Sequence, residues 1–195
     1  LSESAVFTLT DIPYNAVNRS SNGLRNLDKE EADIITFDLN KFLEEVYRIT
    51  SNSIVIFCGK EQFSNIYEYF ASKKGTVRPI IWEKSNPSPM NGQHIYLSGV
   101  EFAVWFKKSG AKTFNAHCKN TVFKYPNGRS KLHPTEKNHK LLEDLIQTLH
   151  PETHLCIATD ITLPTEYIKT KKIAAWKKET IELHKRPTIF IIHKM

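Results

Sequence analysis

Apolar positions along the chain recur with two different periods, and the switches between them mark the elements. Ala5-Val6-Phe7-Thr8-Leu9 is a β-prone run that predicts a buried strand, and Thr10-Asp11-Ile12-Pro13-Tyr14 predicts the polar turn at its exit. Residues 15–37 are rich in turn formers, among them Asn15, Asn18, Ser20, Asn22 and Gly23, and predict a loop. Asp38 is placed to cap a helix whose stripe is Leu39, Phe42, Leu43, Val46 and Ile49. Residues 53–59 form an apolar run closing in glycine, the pattern of a strand buried on both faces. Residues 61–73 predict a second amphipathic helix with Phe63, Ile66, Tyr67 and Phe70 inward, ended by Gly75. Strands are predicted over 77–82 and 100–107. Between them, residues 84–99 carry Pro87 and Pro89, which remove backbone donors and preclude a regular element. Residues 109–132 also predict irregular structure. A helix over 137–149 stopped by Pro151, a strand over 154–160, a basic helix over 164–182 and a last strand over 187–193 complete the pattern.

Strand–helix alternation of this kind predicts one α/β domain over residues 1–195, a doubly wound and mostly parallel sheet with right-handed crossovers. In such a sheet ligands bind beyond the carboxyl ends of the strands. That rule puts Asp11 at the carboxyl end of a central strand and makes the turn after it the first place to look for chemistry.

Composition narrows the partners. The chain has 195 residues, 27 basic against 21 acidic, a net charge of +6 and a pI near 9.1, a balance that suits a polyanion. The irregular segment 109–132 concentrates it, with Lys112, Lys119, Lys124, Arg129 and Lys131 interleaved with Phe114, Phe123 and Tyr125. Basic residues alternating with aromatics suit a nucleic-acid surface. Three widely spaced cysteines (Cys58, Cys118, Cys156) argue against a disulfide framework and fit a reducing cytoplasm. No apolar run is long enough to span a membrane. His94, His117, His133 and His139 lack the helical spacing with a carboxylate that a metal site uses, so no metal is expected.

Asp11-Ile12-Pro13-Tyr14 resembles the Asp-Pro-Pro-Tyr motif of the DNA amino-methyltransferases that act on adenine N6 or cytosine N4, with isoleucine in place of the first proline. Two later stretches strengthen the likeness. Residues 82–129, with Glu83-Lys84-Ser85-Asn86-Pro87 and His117-Cys118-Lys119-Asn120, are similar to the phage and bacterial branch of that family. His133-Pro134-Thr135-Glu136-Lys137 is similar to the box that precedes the family's cofactor-binding half, with Asn138 where the family usually has proline. The order of the three stretches is that of the permuted β class. The resemblance implies a methyltransferase-like Rossmann fold, S-adenosylmethionine as cofactor, double-stranded DNA as substrate and a restriction–modification or phage setting. It implies Asp11, Ile12, Pro13 and Tyr14 as the catalytic turn, Thr135, Lys137 and Asp160 toward the cofactor, and Asn86, Asn91, Lys119, Lys124 and Arg129 toward DNA, with residues 84–132 as target-recognition insertions. A homo-oligomer or a partner methyltransferase subunit is a further expectation.

One part of the family pattern is absent. After its first cofactor-half strand the family places a glycine-rich loop that lets backbone approach the methionine moiety. This chain has Thr159-Asp160-Ile161-Thr162-Leu163-Pro164 there, and no glycine follows Gly128. Two readings stay open at this point: an active amino-methyltransferase with a diverged cofactor half, or an inactive relative that binds DNA or supports an active subunit.

Overall fold

The computed structural model describes residues 5–14, 35, 37–89, 92–112, 119–127, 137–146, 148–159, 164–176, 178–179 and 188–193. Its elements run β1 (Ala5–Asp11), α1 (Leu39–Ile49), β2 (Thr50–Cys58), α2 (Lys60–Ala71), β3 (Gly75–Lys84), β4 (Val100–Lys108), β5 (Val122–Tyr125), α3 (His139–Ile146), β6 (His154–Thr159), β7 (Tyr167–Lys172), α4 (Ile173–Trp176) and β8 (Thr188–His193).

Local signals explain the first half. The Asp38 carboxylate accepts from the Asn40 and Lys41 amides at 2.9 and 3.2 Å, which satisfies donors that the first turn of α1 leaves open. From Ile54 to Cys58 every residue of β2 is apolar and buried, because both faces of that part of the strand are covered. Ile54, Ile56 and Cys58 pack with Leu43 and Val46 of α1 and Ile66 and Phe70 of α2. Val55 and Phe57 point the other way, into a cluster with Leu141 and Leu145 of α3. The period-two alternation of one strand therefore separates two helical layers.

The first sheet has the order β1-β2-β4-β3-β5. β1 pairs with β2, and β3 with β5, in parallel; β4 pairs antiparallel with both β2 and β3. Four of the five strands thus point one way, as a mostly parallel Rossmann-like sheet requires, and β4 alone runs against them. The carboxyl ends of β1, β2, β3 and β5 and the amino end of β4 share one edge. Asp11, Gly59, Lys84, Tyr125 and Glu101 all stand at or next to it.

Four expectations are corrected. Gly75 does not end α2. The helix closes at Ser72, whose N–H reaches Glu68 O, and Gly75 begins β3 instead. A Cβ at Gly75 would lie 2.3 Å from the Lys107 carbonyl and 2.5 Å from the Phe106 ring, so close strand approach demands glycine there. The irregular stretch 109–132 contains β5, whose four residues pair with Ile81–Lys84 of β3. The basic helix over 164–182 does not form. Tyr167, Ile168 and Thr170 are β-formers, and they return along β6 as the antiparallel β7, leaving a single helical turn in α4. β6, β7 and β8 make a second sheet of order β7-β6-β8 with both pairings antiparallel. Finally, Asp11 does close its strand, but β1 is the outer strand of its sheet and not a central one. β8 lies beside it, and Phe7 shares a core with Leu155, Ile157 and Ile192 of the second sheet. Among the described residues no helix is long and apolar enough to cross a membrane.

Candidate active site

β1 delivers Asp11 to the shared edge, and three ties fix the turn that follows. The Ile12 amide donates to Phe57 O at 3.2 Å, extending the β1–β2 ladder by one residue. The Ile12 side chain is 4% exposed and packs with α1, α2 and β2. Burial thus anchors the position where the family motif has a ring. The Pro13 carbonyl accepts from Gln62 Nε2 at 2.9 Å.

A chain of alternating charges runs from the turn along the edge. Lys137 Nζ lies 2.9 Å from Asp11 Oδ2 and 3.0 Å from Glu101 Oε2, and Lys84 Nζ lies 2.6 Å from Glu101 Oε1. The Lys137 side chain is 9% exposed and that of Glu101 19%, against 43% for Asp11, so the pairing is buried at its centre and opens toward solvent at Asp11. Aromatic faces close round the ammonium, with the Tyr14 centroid at 4.9 Å and that of Phe57 at 5.5 Å.

The electrostatics follow from this arrangement. Burial works against the charge on Lys137, but Asp11 and Glu101 outweigh it and raise its pKa. Burial likewise penalises the Glu101 carboxylate, yet Lys137 and Lys84 together hold its pKa below the ordinary value. Tyr14 is pushed strongly upward by burial and then by Asp11 and Glu101, so its phenol stays protonated. The hydroxyl is buried near Asp11 but makes no hydrogen bond of ordinary geometry among the described residues. Burial, with Asp11 adding to it, pushes the Cys58 thiol up to about 12 and leaves it a poor nucleophile.

The expected site residues divide. Asp11, Ile12, Pro13, Tyr14 and Lys137 come together. Thr135, Asp160, Asn91 and Arg129 lie outside the described residues. The Asn86 side chain is occupied within the fold. Its Oδ1 accepts from the Asn127 backbone amide at 2.5 Å, and the Asn86 backbone carbonyl accepts from Asn127 Nδ2 at 3.3 Å, which clips the loop after β3 to the exit of β5. Lys124 is exposed and pairs with Glu83 at 2.5 Å. Lys119 is exposed. Sequence reasoning missed Glu101, Lys84 and Gln62.

A cavity of about 530 Å³ runs along the outer edge of β1, bounded by α3 and the second sheet. Phe7, Leu9, Leu142, Leu155 and Ile192 make its walls apolar, while Asp11, Lys137, His139 and Glu143 supply polar groups. The volume lies in the range of roughly 300–1,000 Å³ typical of small-molecule and cofactor sites.

Comparisons with known proteins bear on the fold and the family. The crystal structure of M1.HpyAVI superposes with a TM-score of 0.53 at 24% sequence identity, over 76% of this chain and 67% of that one. The crystal structure of the M1.HpyAVI–SAM complex gives a TM-score of 0.53 at 25% identity, over 77% and 68%. No curated protein sequence matches. The N6/N4 family model, described as DNA methylase, matches residues 6–162 and so spans β1, the charged edge and β6. The chain belongs to the N6/N4 DNA methylase family.

Proposed function

We propose that this chain transfers a methyl group from S-adenosylmethionine to an exocyclic amine of a DNA base, adenine N6 or cytosine N4, at the turn 11–14. The observation that carries the reading is the half-exposed Asp11 carboxylate, fixed by Lys137 at the mouth of a cofactor-sized cavity. An exocyclic amine is a weak nucleophile because its lone pair is delocalised into the ring. Two acceptors facing its hydrogens draw it toward tetrahedral geometry as the new bond forms. Asp11 and the Ile12 carbonyl fill those roles in our reading. The ion pair uses Asp11 Oδ2, which leaves Oδ1 for the amine. Tyr14 offers a ring for the base to stack on once it has left the duplex.

The cavity fits the cofactor by size and by the distribution of polar groups. Leu142, Leu155 and Ile192 would offer it apolar contacts, and Glu143, His139 and Lys137 would line its polar side. The cofactor supplies a methyl group on a sulfonium, an electrophile that needs no general base to activate it. Lys137 has a second role here, since it orients Asp11 while sharing its charge with Glu101. Calorimetry with S-adenosylmethionine tests the assignment. The wild type binds saturably, and Leu142→Trp, which fills the cavity, weakens binding by about tenfold or more. Equal affinity in the two proteins would put the cofactor elsewhere.

We infer that residues 84–132 form the target-recognition region of this single domain. Residues 85–99 leave the same edge that carries Asp11, and Tyr96, Ile95 and Leu97 stand exposed on them. Lys119 and Lys124 add positive charge beyond β3. The double variant Lys119→Ala, Lys124→Ala is expected to weaken duplex binding and to make the log–log salt slope shallower by about one for each phosphate that the protein no longer neutralises. Lys124 contributes the smaller share because Glu83 already pairs with it. An unchanged slope would move the DNA surface away from these residues.

A further inference from the structure

Gln62 lies on the first turn of α2, where an amphipathic pattern assigns no chemistry. It is nonetheless 9% exposed, one of the buried polar residues of the described fold. Its Oε1 accepts from the Gly59 amide at 2.7 Å, and its Nε2 donates to the Pro13 carbonyl at 2.9 Å. The neighbours fix which way the amide points, because a backbone N–H can only donate and a carbonyl can only accept.

The first of these bonds is a helix cap. Gly59 is the N-cap of α2 and Gln62 its third helical residue, so the side chain reaches back as in a capping box. A glutamate performs that task equally well and interacts more favourably with the helix dipole. The second bond is not open to glutamate, whose carboxylate has no proton to give and would face the Pro13 carbonyl oxygen. The amide is therefore the group that serves both partners. It links the exit of β2 to the exit of β1, where Ile12 has replaced the rigid ring of the family motif. Gly59 makes room for the link: a Cβ there would sit 3.2 Å from Gln62 Oε1 and 3.5 Å from Tyr14 Cβ.

We propose that Gln62 is a positioning residue for methyl transfer, holding the Pro13 carbonyl so that Asp11, the Ile12 carbonyl and Tyr14 keep one geometry. This rests on the reading of residues 11–14 as the catalytic turn. Gln62 touches neither substrate nor cofactor and acts through Pro13.

Gln62→Glu separates the two bonds, since it keeps the cap and removes the donor to Pro13. The full chain is assayed for methyl transfer to duplex DNA and for amide hydrogen exchange. The expected result is a kcat lower by about tenfold, KM for DNA and for S-adenosylmethionine nearly unchanged, and a lower Tm, because the buried carboxylate faces a carbonyl oxygen. Exchange rises in peptides covering residues 9–14, while α2 peptides stay protected. Gln62→Met loses both bonds without adding a charge and shows the same kcat defect, and exchange rises in α2 peptides as well as in residues 9–14. A Gln62→Glu variant with wild-type kcat and wild-type exchange at residues 9–14 overturns the proposal and reduces Gln62 to a helix cap. If the wild type transfers no methyl group, the reading of the turn fails on that result alone. Exchange then decides separately whether Gln62 holds the turn.

Discussion

Replacing Asp11 with alanine lowers methyl transfer to duplex DNA by about two to three orders of magnitude and leaves affinity for DNA nearly unchanged. Asp11 meets the amine most strongly when the nitrogen becomes tetrahedral, so its loss falls on kcat more than on KM. The fold tolerates the change because the Asp11 side chain is 43% exposed and Lys137 keeps its second partner, Glu101. Steady-state kinetics with labelled cofactor, beside a DNA-binding titration, measures both halves. An equal fall in DNA affinity would make Asp11 a binding residue, and near-normal turnover would remove it from the reaction.

Glu101→Gln is the second large effect, and it falls on stability. One carboxylate on β4 serves two lysines from distant parts of the sequence, at 84 and 137. Breaking a buried pair costs roughly 3–5 kcal/mol when the remaining charge has no other partner. Lys137 retains Asp11 and Lys84 retains the Trp82 ring face, so about 2–3 kcal/mol is expected here, a fall of roughly 5–10 °C in Tm for a chain of this size. The pH dependence has a definite sign. The folded pKa of Glu101 is depressed, so its contribution is present above the unfolded carboxylate pKa and is lost as pH falls through the folded value. The folded pKa of Lys137 is raised, so its contribution is present below the unfolded lysine pKa and is lost as pH rises through the folded value. The Tm gap between wild type and variant is therefore full near neutrality and closes in acid and in strong alkali. A gap that widened on acidification would contradict the assignment.

Elements written in local chemistry were legible in the sequence. The Asp38 cap, the uninterrupted apolar run of β2 and the polar turn after β1 depend on neighbours a few residues away, and each stands where its pattern puts it. What depends on remote partners was not legible. Residues 164–182 carry many lysines and two alanines, a composition that favours helix in isolation. The free edge of β6 instead takes Tyr167–Lys172 as a strand, a tertiary outcome that propensity alone does not report. Gly75 reads as a helix stop by itself and as a close approach only once Phe106 is beside it. The candidate site divides in the same way. Asp11 and Tyr14 announce themselves through a motif. Glu101 and Gln62 become visible only when the sheet brings positions 84, 101 and 137, or 13, 59 and 62, to one edge.

Methyl transfer at the turn 11–14 is tested most directly by incubating the chain with duplex DNA of mixed sequence and S-adenosylmethionine labelled in the methyl group. The DNA is then digested to nucleosides and the labelled one identified. Label is expected in N6-methyladenine or N4-methylcytosine, reduced to background in Asp11→Ala. Label at cytosine C5, or no label from a protein that binds both cofactor and DNA, would contradict it.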